Sequence, residues 1–294
     1  MSQVEPGAEL AMLIPTIRRN DVYPAIEPTP LREAQAYKGK VVFITGASRG
    51  IGQETALQYA RAGALLALTA RGQEALEQSK DALLKVVPDA QVLTFALDVT
   101  DAAAVGKAVE ATVEKFGRLD VVIANAGWSD AWDKPFGEKD PDVWWRVIEV
   151  SVRGAYNVVH YAVPHLTKSE GRVVLVSSLT GVMVLPFASA ASIGKHALGR
   201  FAEFIVAEYP KVKCFTLHPG AIETTGALRV KTSIPLNDTL ALPACTMLAL
   251  TSGRFDWLSS RFVSSNWDLG EVERDWKKKI IDQNALTEKI QVPK

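Results

Sequence analysis

The stretch Thr45-Gly46-Ala47-Ser48-Arg49-Gly50-Ile51-Gly52 sets three glycines and two small hydroxyl residues beside a guanidinium. Glycine lets a backbone turn sharply and approach a ligand closely. The apolar run 41–44 before it reads as a strand buried on both faces. After it, 53–62 carries Ala56, Leu57 and Ala60 at helical spacing. Strand, glycine turn and helix N-terminus together form an anion site, because free N–H groups and the helix dipole point at the loop. The chemistry predicted is the cradling of a pyrophosphate, and a dinucleotide is the leading ligand.

The elements that must position this loop alternate along the chain. Strands are predicted over 41–44, 64–69, 91–96, 119–124, 172–177 and 213–217, and helices over 53–62, 73–86, 102–116, 142–166 and 192–208. Gly117 supplies a stop signal after the third helix. Regular alternation without an internal linker predicts one doubly wound, Rossmann-type parallel α/β sheet with helices on both faces. Ligands in such sheets bind beyond the carboxyl ends of the strands. Those ends offer the glycine loop, Arg71, Asp98-Val99, Asn125-Ala126-Gly127, Ser177-Ser178 and Pro219-Gly220. Each has a plain structural use as a cap or turn, but as a set they suit one long polar ligand.

Composition narrows the class. Of 294 residues, 48% are hydrophobic and 22% charged, as in a soluble globular protein. Lys and Arg number 33 against 33 Asp and Glu, which gives no electrostatic case for nucleic acid or an anionic membrane. Cys214 and Cys245 make neither a disulfide framework nor a metal cluster, and the four histidines show no ligand spacing. No run reaches the ~18 apolar residues of a membrane helix. Residues 1–13 carry two glutamates and no basic residue, unlike a signal or transit peptide, so the expected location is cytoplasmic. A small-molecule substrate is the expected partner.

Thr45-Gly46-x-x-x-Gly50-x-Gly52, Asn125-Ala126-Gly127, Ser178, Lys195 and Pro219-Gly220 stand in the order and spacing of the short-chain dehydrogenase/reductase family, which the chain resembles over roughly 39–225. The segment 250–268, with Ser264-Ser265-Asn266-Trp267-Asp268, is similar to the tails of fungal members. The resemblance implies that Thr45, Gly46, Ser48, Arg49, Gly50, Ile51 and Gly52 hold the cofactor pyrophosphate. It implies that Asp98 and Val99 meet the adenine, that Asn125, Ala126 and Gly127 floor the site, and that Pro219, Gly220, Ile222 and Thr224 lie against the nicotinamide. Members preferring NAD end the second strand with an acidic residue; here Ala70 and Arg71 stand there, and Arg49 sits in the loop. Two guanidiniums suit a ribose 2′-phosphate, so NADP(H) is expected over NAD(H).

The same resemblance exposes a departure. The family works with Asn, Ser, Tyr and Lys, the Tyr four residues before the Lys. Ser178 and Lys195 match, but the Tyr position is Ala191, 13 residues after Ser178 as usual, and the Asn position is Ser151. Alanine cannot protonate a carbonyl oxygen, a service commonly worth ~10²–10⁴ in rate. Three readings stay open: a reductase whose tyrosine was replaced, a natural enzyme of unusual chemistry, and a cofactor-binding scaffold without turnover. The second covers reduction of iminium ions, or cyclisation, isomerisation or dehydration with NADP held in place. Ala191→Tyr separates the first two.

Trp128 and Trp132, with Leu179 and Met183, are expected to line the substrate pocket, and 221–242 to close over it as a lid. Aromatic walls suggest a bulky apolar or aromatic carbonyl or imine, such as a polyketide-like or indolic secondary metabolite. Of the adjacent Trp144 and Trp145, at most one can face the pocket. Three regions are expected: a proline-rich extension over 1–38 wrapped on the surface, the core domain over 39–270, and a helical tail over 271–294. The two long helices are those through which the family forms dimers and tetramers, so a homo-oligomer is expected.

Overall fold

The structure, a computed structural model, describes residues 14–230 and 234–290. Seven parallel strands form one sheet: β1 Val41–Thr45, β2 Leu65–Ala70, β3 Val92–Ala96, β4 Val121–Ala124, β5 Arg172–Val176, β6 Lys213–His218 and β7 Arg261–Ser264. Their spatial order is β3-β2-β1-β4-β5-β6-β7, so the chain reverses direction across the sheet between β1 and β4. Every residue of β1 is buried, as a strand covered on both faces must be. This is the doubly wound architecture expected from the alternation.

Six principal helices cover the two faces: α1 Gly50–Arg61, α2 Gln73–Val86, α3 Ala102–Phe116, α4 Pro141–Ser169, α5 Ser189–Glu208 and α6 Ala241–Leu250. One core joins α1, α2 and α6 to Ile44, Leu66 and Phe215 of the sheet; the other joins α3, α4 and α5 to Phe43, Val122 and Leu175. Side-chain alternation in the strands feeds both cores at once. Asp101 caps α3 by accepting from Ala104 N at 3.0 Å, and Gly117 ends it at φ +79°.

Several expectations are corrected. The extension over 14–38 is not merely wrapped on the surface, because Tyr23, Ile26 and Tyr37 are buried in the first core. Tyr37 Oη donates to Leu248 O at 2.7 Å and shares Thr251 with Tyr59. Ile14 packs with Phe262, Trp267, Val272 and Ile280, which draws the segments around Ile14 and Ile280 onto the β7 edge. The tail over 271–290 is thus anchored through Ile280, while Ile281 stays exposed. Strand β7 and helix α6 escaped the sequence reading. Only four residues long, β7 lies in the 250–268 segment read for its resemblance to fungal members rather than as a strand, and α6 is apolar all round, so it shows no amphipathic period. Residues 1–13, part of the expected extension, and 291–294, at the tip of the tail, lie outside the described residues, as do 231–233 within the expected lid.

Candidate active site

Two adjoining cavities open along the carboxyl ends of the strands, at the reversal between β1 and β4. The smaller, about 480 Å3, is walled by Gly46, Ser48, Arg49, Gly50 and Ile51, with Ala70 and Arg71 from the end of β2. Asp98 and Val99 close one side, and Asn125, Ala126 and Gly127 the floor. The larger, about 640 Å3, brings together Ser151, Ser178, Ala191 and Lys195 with Pro219, Gly220 and Ile222. Ile51, Gly127, Trp128 and Thr224 wall both, so a ligand in one abuts a ligand in the other.

The glycine loop owes its shape to close packing. Gly46 and Gly50 adopt φ +66° and +57°, and a Cβ on Gly52 would fall 2.7 Å from Asn125 Nδ2 and closer still to Gly46 O. Asn125 pins the loop from below, donating through Nδ2 to Thr45 O at 2.9 Å and Gly46 O at 3.2 Å. Thr45 itself is buried away from both cavities; its Oγ1 accepts from Asn125 N and Ala126 N at 3.0 and 2.9 Å. Thr45 is therefore a brace under the cradle, and Gly52 is the gap that lets the turn close. Arg49 and Arg71 are exposed at the mouth of the cavity. Asp98 loses ionisability to burial, but hydrogen bonds from Thr100 and the Arg146 guanidinium at 2.5 Å outweigh that and hold its carboxyl low.

In the larger cavity, α4 and α5 cross closely enough that a Cβ on Gly194 would lie 3.2 Å from Ser151 Cβ. Ser178 Oγ accepts from Thr180 N at 3.2 Å, which leaves its own proton to donate elsewhere. Lys195 reaches from α5 to the end of β5, its Nζ donating to Val176 O at 2.7 Å. Loss of solvation brings its ammonium down to about 8. Ala191 is buried among Val147, Ile148 and the partly buried Trp128, Trp132 and Trp144. Tyr161 is engaged elsewhere, its ring edge against Gly106 of α3.

The residues expected on the substrate side fall into two groups. Trp128, Trp132, Leu179 and Met183 all line the larger cavity. Trp144 and Trp145 line neither; Trp144 Nε1 donates to Ser189 Oγ at 2.9 Å, and Trp145 is exposed. From the lid, a short helix Thr225–Val230 crosses above Trp128, stacking Arg229 5.8 Å from its ring, and Trp132 N donates to Val230 O at 3.1 Å. The sequence reading missed Arg18, Asn20, His218, Asp238 and Asn266, which also line this cavity. Only long-range folding of the N-terminal segment brings Arg18 and Asn20 there, so no local signal could have found them.

Sheet order, glycine turn and helices on both faces define a Rossmann-type fold. The chain belongs to the short-chain dehydrogenase family, whose family model matches residues 40–233. It is 37% identical to the short chain dehydrogenase mpl6 of Monascus purpureus, an alignment covering 92% of this chain and 94% of that relative. It is 34% identical to the short chain dehydrogenase pigC of Monascus ruber, over 86% of each. Among solved structures, it is similar to an alcohol dehydrogenase of the archaeon Thermococcus sibiricus complexed with 5-hydroxy-NADP (TM-score 0.67, 28% identity, 76% of this chain and 95% of that one). A carveol dehydrogenase of Mycobacterium avium in complex with NAD shares the fold (TM-score 0.70, 24% identity, 77% and 96%). Among the described residues no helix is long and apolar enough to cross a membrane, and no cluster of side chains could hold a metal ion.

Proposed function

We propose that this chain is an NADP(H)-dependent reductase of bulky carbonyl or imine compounds, working without the tyrosine its relatives use, in secondary metabolism. The observation that carries this reading is the direct abutment of the glycine cradle, with Arg49 and Arg71 at its mouth, on the cavity holding Ser178 and Lys195. The end of β2, Ala70 and Arg71, carries no carboxylate to compete with a 2′-phosphate, and two guanidiniums can fork onto it.

Bound NADPH would supply the hydride; the rest is the work of this chain. Ser178 Oγ, which already accepts from Thr180 N, donates its proton in a hydrogen bond to the substrate oxygen. Lys195 Nζ, brought down to about 8, supplies the proton that tyrosine gives elsewhere. Trp128, Trp132 and the helix Thr225–Val230 exclude water and orient an aromatic or apolar body. An iminium ion accepts hydride with no proton transfer, so such substrates ask least of this site. The exposed Trp145, Tyr156, Ile193 and Phe204 of α4 and α5 support a homo-oligomer formed through those helices.

Titration of the seven tryptophans' fluorescence with NADPH and NADH tests the cofactor assignment. Saturation by NADPH at least tenfold tighter than by NADH is expected. Absence of binding by either nucleotide at sub-millimolar concentration overturns it and brings the scaffold reading forward.

A further inference from the structure

Ser178, the hydrogen-bond donor of the proposed mechanism, opens a single helical turn, Leu179–Gly181, and its place depends on what holds that turn. The turn lies directly on α5. A Cβ on Gly181 would fall 2.9 Å from the carbonyl carbon of Lys195, and Ser177 Oγ donates to Lys195 O at 3.0 Å. Two further groups hold it, neither of them used by the mechanism. Leu179 packs against the cluster around Phe262 and Trp267, as does Leu286. His196, next to Lys195 on α5, directs Nδ1 at Gly181 O, 2.8 Å away. A carbonyl oxygen only accepts, so the ring carries a proton on Nδ1.

The segment 284–290 fixes that ring. It leaves the β7 edge, where Phe262 N donates to Leu286 O at 2.9 Å, and lies against α5. There Glu288 N donates to Glu203 Oε1 at 2.7 Å, Arg200 donates to Glu288 O, and Gly199 leaves the notch that the Glu288 side chain fills. Glu288 Oε2 then stands 3.3 Å from His196 Nδ1, so one ring proton faces both Gly181 O and the carboxylate. The segment's path is not one its residues prefer. Asn284 and Leu286 take φ +46° and +63°, a left-handed region that leucine rarely visits. Backbone strain of this kind persists only where surrounding contacts impose it.

We propose that His196 is a positioning residue for Ser178, and that the segment 284–290 holds it in place through Glu288. The ring ties the serine turn to α5 one residue from Lys195, so the group that binds the substrate oxygen and the group that supplies the proton keep a fixed separation. A displacement of about 1 Å between such groups is enough to cost a large part of a rate. The proposal rests on Ser178 and Lys195 being the reacting pair.

Hydrogen exchange of the full chain is the first test, because it needs no turnover. The amides of Leu179, Thr180, Gly181 and Val182 are all hydrogen-bonded and so report on the turn. His196→Ala should speed their exchange by about fivefold or more and leave the glycine loop 46–52 unchanged. His196→Asn, whose amide reaches the place of Nδ1, should restore most of that protection, and Glu288→Ala should loosen the turn in the same sense. Turnover of 2-acetylnaphthalene with NADPH is the second test. His196→Ala should lower kcat by about tenfold and leave the KM for NADPH within about twofold. In a Ser178→Ala background the same change should cost less than about twofold, since a residue acting through Ser178 has nothing left to position. Unchanged exchange at 179–182, a His196→Asn variant as impaired as His196→Ala, or fully additive losses with Ser178→Ala overturns the proposal. No turnover by the unmodified chain, with the exchange difference intact, counts against the reductase reading instead.

Discussion

Lys195 Nζ donates to the carbonyl oxygen of Val176 at 2.7 Å, clasping helix α5 to the end of β5 directly beneath the strand-end serines. One proton of the ammonium is spent on that bond, and the others face the cavity that Lys195 lines. No tyrosine is among the described residues that line that cavity. On the proposed mechanism, a structural clasp and a proton source reside in one side chain.

That arrangement sets a pH limb. Burial brings Lys195 from 10.5 to about 8, so it is an ammonium below that pH and a neutral amine above it. Carbonyl reduction by NADPH should hold steady up to about pH 8 and then fall, about tenfold per unit, as the acid is lost. Lys195→Met should lower the plateau and abolish the limb, read from kcat against pH. A profile that continues flat to pH 10 in the unmodified protein would show that Lys195 donates no proton.

On the proposed mechanism, Ala191→Tyr should supply a phenolic acid beside Lys195. The position lines a cavity of about 640 Å3, which has room for the ring, and Lys195 lies four residues on, one helical turn away. NADPH oxidation with an aromatic ketone should rise by about 10²-fold or more, while the KM for NADPH stays within about threefold. No gain would mean that the site has been reshaped for chemistry that needs no phenol.

The cofactor end gives a third outcome. Arg49 and Arg71 are exposed at the cavity mouth, where each can meet a phosphate without a competing carboxylate at the end of β2. Arg71→Ala and Arg49→Ala should each weaken NADPH by about tenfold and leave NADH nearly unchanged, as measured by fluorescence titration. An equal loss for both nucleotides would place the arginines on the shared pyrophosphate rather than the 2′-phosphate.

Local sequence carried the fold and half of the site. The run Val41–Thr45 and the glycines at 46, 50 and 52 specify strand, turn and helix within a few residues, so their roles can be read without the rest of the chain. Even there, Thr45 and Gly52 turn out to brace and close the loop rather than line it, a distinction that depends on Asn125 arriving from β4. The polar corner of the larger cavity was illegible for the same reason in a stronger form. Arg18 and Asp238 are separated by most of the chain and meet only because the segment around Asn20 folds back against the loop before α6. Burial of Tyr37 depends likewise on Leu248 and Thr251, which lie in and just after a helix with no polar face to announce it.

His218 makes the last outcome one of stability. It stands buried at the end of β6, its Nδ1 accepting from Leu179 N, and burial, aided by the positive Arg18, pushes it from 6.5 down to about 3. The folded chain therefore keeps His218 neutral where the unfolded chain already binds a proton. Its contribution is fully present above about pH 6.5 and is lost as pH falls, at up to about 1.4 kcal/mol per unit. His218→Asn preserves an acceptor for Leu179 N and removes the titrating ring. Urea unfolding between pH 7.5 and 4.5 should show the unmodified protein losing stability more steeply than the variant, the gap widening below pH 6.5. Parallel curves would mean that the imidazole takes up its proton in the folded state, through a ring turned toward solvent rather than into the cavity.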